Sequence, residues 1–94
     1  MSAYKIFETQ NFQKELVKFT SLREQQLITK KLSAQVYPQL KKEPHYGNHI
    51  KKLRAYDPES WRYRIGNFRL FYSIDEKAKV VVISSLRLRK EAYR

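Results

Sequence analysis

Three arginines, Arg62, Arg64 and Arg69, lie on either side of Gly66-Asn67, a two-residue connection suited to a type II′ hairpin. If that pair is the turn, Ile65 faces Phe68, Arg64 faces Arg69, Tyr63 faces Leu70, Arg62 faces Phe71 and Trp61 faces Tyr72. Alternation then separates the two sides. Trp61, Tyr63, Ile65, Phe68, Leu70 and Tyr72 share one face, and Arg62, Arg64, Arg69 and Phe71 share the other. Like charges placed directly opposite each other destabilise a sheet, so Arg64 against Arg69 calls for water or an anion between them. The arginine face is therefore expected to be open to solvent. Guanidinium groups match phosphate oxygens in geometry and charge, and an aromatic such as Phe71 or Tyr93 can stack a base. The simpler reading is that the arginines only keep one sheet face soluble, snorkelling over Phe71. Against it, a solvated face normally mixes signs, and neither strand carries an acid before Asp75.

The tail adds Arg87, Arg89, Lys90 and Arg94 together with Tyr93. With 20 Lys and Arg against 9 Asp and Glu, the 94-residue chain has a formal charge of +11. Such a balance favours a polyanionic partner, with nucleic acid the commonest and an acidic protein segment or anionic lipid also admissible. Lys41-Lys42 and Lys51-Lys52 fit solvated surface and also a long-range field that attracts RNA. His45 and His49 are four apart but lie between Pro44 and the turn residues that follow, without a cysteine or paired carboxylate to complete a metal site, so neither a metal nor another cofactor is expected. No phosphate-cradling glycine loop and no Ser/His/Asp arrangement is present.

The elements that must position these residues can be read in order. Tyr4 to Glu8 resembles a short strand, and Thr9 or Asn11 can cap a helix with Phe12, Leu16 and Phe19 on one side. Ser21-Leu22-Arg23-Glu24 is a capping box that starts a second helix, with Ile28, Leu32 and Val36 in phase and Pro38 expected to stop it. Two helices so closely joined form an antiparallel hairpin. Ile50 to Arg54 is a candidate strand, and the β-branched run Val80-Val81-Val82-Ile83 reads as a strand buried on both faces at the centre of a sheet. The expected class is α+β: an N-terminal strand and a helical hairpin packed on a mostly antiparallel sheet of four to five strands. Residues 1–94 read as one domain. Without cysteine, a secretory leader or an apolar run of membrane-spanning length, the chain is expected to be a soluble cytoplasmic protein with no membrane partner.

The order β-α-α-β-β-β, with Leu53-Arg54, the run Trp61 to Tyr72 and the closing Arg89-Lys90-Glu91-Ala92-Tyr93, resembles the RelE/ParE superfamily of toxins from toxin–antitoxin systems. The resemblance covers nearly the whole chain. It implies a ribosome-dependent endoribonuclease that enters the A site, cleaves messenger RNA without a metal, and is silenced by an acidic cognate antitoxin, the free toxin being a monomer. Carried over by position, Arg62 and Arg64 face the scissile phosphate and its 2′-hydroxyl, Arg69 steadies the phosphate, Arg89 stabilises charge or serves the leaving group, and Tyr93 contacts the substrate. Phe71, Arg87, Lys90, Lys51, Lys52 and Arg54 are the expected RNA contacts around them. Where several members of the family have strand lysines or a histidine near the end, this chain has Arg62, Arg64 and Leu88, which leaves the general base unassigned. Two other readings remain: the ParE branch, which poisons DNA gyrase, and a non-catalytic RNA-binding module.

Overall fold

A computed structural model describes residues 3–54, 56 and 59–88. Its first strand, β1 (Lys5–Glu8), leads directly into helix α1 (Gln10–Phe19). Thr9 caps that helix, its Oγ1 accepting the Phe12 amide at 3.1 Å. At the next helix, α2 (Leu22–Lys31), the capping box closes in both directions: the Glu24 amide donates to Ser21 Oγ at 3.1 Å, and the Ser21 amide donates to Glu24 Oε1 at 2.8 Å. Each such cap is worth about 1 kcal/mol. Only Thr20 and Ser21 separate the helices, which form the expected hairpin.

Pro38 does not end the helical run. A π-helical turn, Leu32–Val36, leads into a further helix, α3 (Tyr37–Lys42), with Pro38 in its first turn. The wider turn carries the Tyr37 amide back to the Leu32 carbonyl, and proline sits where a helix start tolerates its missing N–H. The apolar stripe consequently extends one turn beyond the expected stop, through Ile28, Leu32 and Val36 to Leu40, all buried.

Four strands follow: β2 (Ile50–Lys52), β3 (Ser60–Ile65), β4 (Phe68–Asp75) and β5 (Val80–Leu88). They join β1 in one sheet of order β1-β5-β4-β3-β2, in which only the β1–β5 pair is parallel. The β3–β4 register is the expected one, from Ile65 opposite Phe68 to Trp61 opposite Tyr72. Gly66 has φ +56°, and Asn67 is not left-handed, as a type II′ turn requires. β4, rather than β5, occupies the centre. Of the run Val80 to Ile83, Val81 and Ile83 are fully buried, whereas Val80 and Val82 are half-buried on the other side. The β-branched run marked an interior strand with one core face.

Trp61, Tyr63, Ile65, Phe68, Leu70 and Tyr72 all enter the core, joined by Phe12, the α2–α3 stripe, Val81, Ile83 and Leu86. The Tyr72 hydroxyl is not left unsatisfied, since it donates to the Pro44 carbonyl at 2.6 Å. Among the described residues no helix is long and apolar enough to cross a membrane.

His45 fastens the loop after α3 to the β4–β5 turn. Its Nδ1 lies 2.8 Å from Glu43 Oε2 and its Nε2 2.5 Å from Glu76 Oε2, while the Tyr4 hydroxyl donates to Glu76 Oε1 at 2.8 Å. Burial disfavours the charged ring, but the two carboxylates outweigh it and hold the His45 pKa above its ordinary 6.5. His45 hydrogen bonds lower Glu43 below its ordinary 4.5, and His45 with the Tyr4 hydroxyl does the same for Glu76.

Two expectations follow from these local structures. Because Gly66 has open space around its Cβ position, Gly66→Ala adds backbone strain without a clash and lowers unfolding stability by about 1–3 kcal/mol, readable as a shift in denaturation midpoint. An unchanged midpoint would show that the turn relaxes freely. For His45 the stabilisation is fully present below pH 6.5 and lost as pH rises through its raised pKa. The carboxylate contribution is fully present above pH 4.5 and lost as pH falls through their lowered pKa values. The gap in Tm between the native chain and His45→Ala is thus widest between pH 4.5 and 6.5 and narrows on both sides. A pH-independent gap would remove the ionic origin.

Candidate nucleic acid interface

The face of the sheet turned away from the helices is built from residues that alternate with the core. Across it run two rows. One passes from Arg64 on β3 through Arg69 on β4 to Arg87 on β5. The next passes from Lys51 on β2 through Arg62 and Phe71 to Ser85 on β5. Five cationic side chains from four strands therefore originate on one face. The Gly66-Asn67 turn is responsible for the first pair of that row, because its length places Arg64 opposite Arg69.

Their environments differ. Arg64 is exposed, as expected, whereas Arg62 is half-buried. Arg69, expected to be open to solvent, is only 2% exposed. Its Nη1 donates to the carbonyls of Gly66 at 3.1 Å and Phe68 at 3.0 Å, so the side chain folds back over the hairpin turn. Those carbonyl dipoles supply negative potential that the sequence reading had left to an external anion. Arg87 is half-buried. It forms an ion pair with Glu15 of α1, and its guanidinium carbon lies 5.6 Å from the centre of the Phe19 ring.

Glu15 is the residue that sequence reasoning missed. It is 7% exposed, and a buried carboxylate needs charged or hydrogen-bonding partners. A signal was present: Glu15 lies three residues after Phe12 and beside Leu16, on the apolar stripe of an otherwise amphipathic helix. An acid at a core position in a chain of charge +11 points to an internal cation.

Lys51 and Lys52 part company. Lys51 stands opposite Arg62 on the basic face, but Lys52 stands opposite Trp61. Its ammonium is 2.6 Å from Glu59 and 5.7 Å from the Trp61 ring centre, which places it on the side of the sheet that carries the core. Arg54 follows the end of β2, where it lines a hollow of about 450 Å³ with Lys52, Leu53, Tyr56 and Glu59. Of the three basic residues expected in this stretch, only Lys51 joins the arginine face. Phe71 is half-buried within the second row, flanked by Arg62 and Ser85. The other proposed site residues, Arg89, Lys90 and Tyr93, lie outside the described residues.

The two histidines are separately engaged, His45 by its carboxylates and His49 against the Tyr63 ring at 5.6 Å between centroids. A hollow of about 550 Å³ lies over β1 and α3, lined by Tyr4, Phe7, Glu8, Gln13, Tyr37 and Lys41, on residues other than those of the arginine rows. The chemical capacity of those rows is electrostatic. Arginine remains protonated at neutral pH, so the face can stabilise developing negative charge on a phosphate and is poorly suited to proton exchange.

Comparison with known proteins agrees with this architecture. The RelBE2 toxin–antitoxin complex of Mycobacterium tuberculosis contains a chain that superposes with TM-score 0.70 at 25% identity, over 93% of this chain and 99% of that one. An archaeal RelE–RelB complex from Pyrococcus horikoshii OT3 gives TM-score 0.68 at 22% identity, covering 93% and 96% of the two chains. For free E. coli RelE carrying two arginine-to-alanine substitutions the values are 0.67 and 18%, over 97% and 88%. The last two likenesses establish the fold. No curated protein matches the chain in sequence. The family model described as the ParE toxin of the type II toxin–antitoxin system parDE matches residues 8–93, and the chain therefore belongs to the RelE/ParE family of type II toxins.

Proposed function

We propose that this toxin is a ribosome-dependent endoribonuclease that cleaves messenger RNA in the A site, acting in the cytoplasm. The observation that carries the reading is the pair of adjacent rows, Arg64-Arg69-Arg87 and Lys51-Arg62-Phe71, on the sheet face opposite the core. In the reaction, the 2′-hydroxyl loses its proton and its oxygen attacks the neighbouring phosphorus in line. The P–O5′ bond breaks, the 5′-oxygen takes up a proton, and the products are a 2′,3′-cyclic phosphate and a 5′-hydroxyl. Arg62 and Arg64, which have no carboxylate partner among the described residues, face the phosphate and neutralise charge on its oxygens. Arg69 supports them from beneath, and Phe71 offers an aromatic surface to a base. Arg89 and Tyr93 complete the proposed set.

The ParE family match favours a second reading, in which the same fold acts on DNA gyrase. A gyrase poison has no need of a phosphate-facing arginine cluster, which is why we place it second. Mapping 5′ ends on the message in a cell-free translation reaction separates the two. New ends inside the A-site codon support the nuclease, whereas an intact message together with inhibited DNA supercoiling supports the gyrase reading.

An antitoxin partner is part of the proposal, since the solved complexes pair related toxins with antitoxins. A net charge of +11 favours an acidic segment, and affinity is expected to fall as salt rises. Salt-independent association would assign that interface to apolar contacts instead.

Arg64→Ala is the cleanest test of the site because its side chain is exposed and its loss leaves the core intact. Message cleavage is expected to drop by roughly 10²–10³-fold, the scale for removing one preorganised donor to a developing charge, with ribosome association retained. Lys41→Ala deletes the same formal charge from α3 and should leave cleavage nearly unchanged. Equal losses in the two variants would reduce the arginine face to a general electrostatic field. Arg69→Ala is a poorer probe, for it also strips the Gly66 and Phe68 carbonyls of a buried donor.

A further inference from the structure

β1 accompanies β5 only as far as the pairing of Glu8 with Ile83. Past that point the edge of β5 is served by side chains of the Thr9–Glu15 segment. The Thr9 hydroxyl donates to the carbonyls of Ile83 at 2.9 Å and Ser84 at 3.2 Å, and Asn11 Nδ2 donates to the Ser84 carbonyl at 2.9 Å. Glu15 Oε1 accepts the Leu86 amide at 3.1 Å and Asn11 Nδ2 at 3.1 Å, and Oε2 takes the Arg87 guanidinium. A short polar ladder thus replaces the missing strand.

The ladder meets β5 where its register shifts. Phe71 and Tyr72 are adjacent on β4, but their partners on β5 are Ser85 and Ile83, so Ser84 is an extra residue, a β-bulge. Its effect on side-chain direction is large. Val81 and Ile83 point into the core, and unbroken alternation would send Ser85 and Arg87 after them and turn Leu86 outward. The extra residue reverses this. Leu86 is fully buried, and Arg87 stands opposite Arg69 on the basic face.

We propose that Glu15 is a positioning residue for the arginine face: by holding the Leu86 amide and the Arg87 guanidinium together, it maintains the reversed alternation of β5 beyond Ser84. A carboxylate suits the task because its two oxygens can serve the amide and the cation at once. The same strand end leads in sequence to Arg89 and Tyr93, so its register bears on the whole proposed site. For its activity readout the inference rests on the nuclease reading; for its geometry it rests on β5 alone.

The test compares Glu15→Leu, which abolishes both contacts, with Glu15→Gln, which keeps an oxygen for the Leu86 amide. In the full-length chain, amide exchange at Leu86 and the Arg69–Arg87 cross-strand contacts are followed by NMR, alongside kcat and KM for message cleavage. Glu15→Leu is expected to speed Leu86 exchange at least ~10-fold and to lower kcat by roughly 10–10²-fold with little change in KM, the pattern of a displaced catalytic surface. Glu15→Gln should preserve Leu86 protection and recover kcat to within about threefold of the native chain, the remainder reflecting the lost ion pair. A folded Glu15→Leu protein with native exchange and native kcat overturns the proposal, as does an equal loss of kcat in the two variants. If Glu15→Leu does not fold, Asn11→Ala replaces it. Faster Leu86 exchange and a several-fold lower kcat in that variant support the proposal, and unchanged values overturn it. A native chain that cleaves no message removes the nuclease reading, and the exchange and cross-strand measurements then decide the role of Glu15 by themselves.

Discussion

Successive side chains of a strand face opposite sides of its sheet, so one register choice per strand decides which residues enter the core and which meet solvent. Two local devices settle this for the strands that matter. The Gly66-Asn67 turn fixes β3 against β4 and thereby brings Arg64 opposite Arg69. The Ser84 bulge fixes the second half of β5, placing Leu86 in the core and Arg87 in line with the other two arginines. Neither device contributes a reacting group. Moving either by one residue would exchange core and basic face over the length of a strand, at the cost of several buried apolar side chains worth roughly 1.5–3 kcal/mol each.

That scale also sets what the repulsion within the arginine row must be weighed against. Two like charges about 4 Å apart repel by ~1 kcal/mol in water and ~4 kcal/mol at the effective dielectric of about 20 that suits a partly buried pair, a scale comparable with the burial of one or two core side chains that the same register secures. The repulsion is further reduced from within the chain. Arg69 donates to two carbonyls of its own turn, and Arg87 is matched by the buried carboxylate of Glu15. An anion between Arg64 and Arg69 is compatible with the face, and these internal partners lessen the need for one.

Much of the fold was legible because it depends on short-range patterns. The capping box at Ser21 and Glu24, the Gly66-Asn67 turn, and the alternation from Trp61 to Tyr72 each act within a few residues and were read correctly. The failures share a different cause. Pro38 continues the helix because a π turn absorbs its missing amide, a backbone adjustment that leaves no composition signal. Lys51 and Lys52 look alike in sequence but take opposite sides of a three-residue strand. Arg69 is buried and bonded to carbonyls of its own turn, and Arg87 is neutralised by a residue 72 positions away. Burial and long-range pairing depend on tertiary structure, and a single sequence records them only indirectly, as the acid on the apolar stripe of α1 does.

Internal pairing sorts the basic residues by what they have left to offer a partner. Glu15 already serves Arg87 and Glu59 serves Lys52, so an incoming phosphate must compete with a carboxylate at either position. Arg62, Arg64 and Lys51 have no carboxylate partner among the described residues, and they are adjacent across β2 and β3. The capacity of the face to bind an anion is thus concentrated toward the β2 edge, while its β5 side is committed to holding the strand in register. What would distinguish a phosphate-binding surface from a generally basic one is the contiguity of the charges that remain unmatched, and in this chain Lys51, Arg62 and Arg64 lie side by side on β2 and β3.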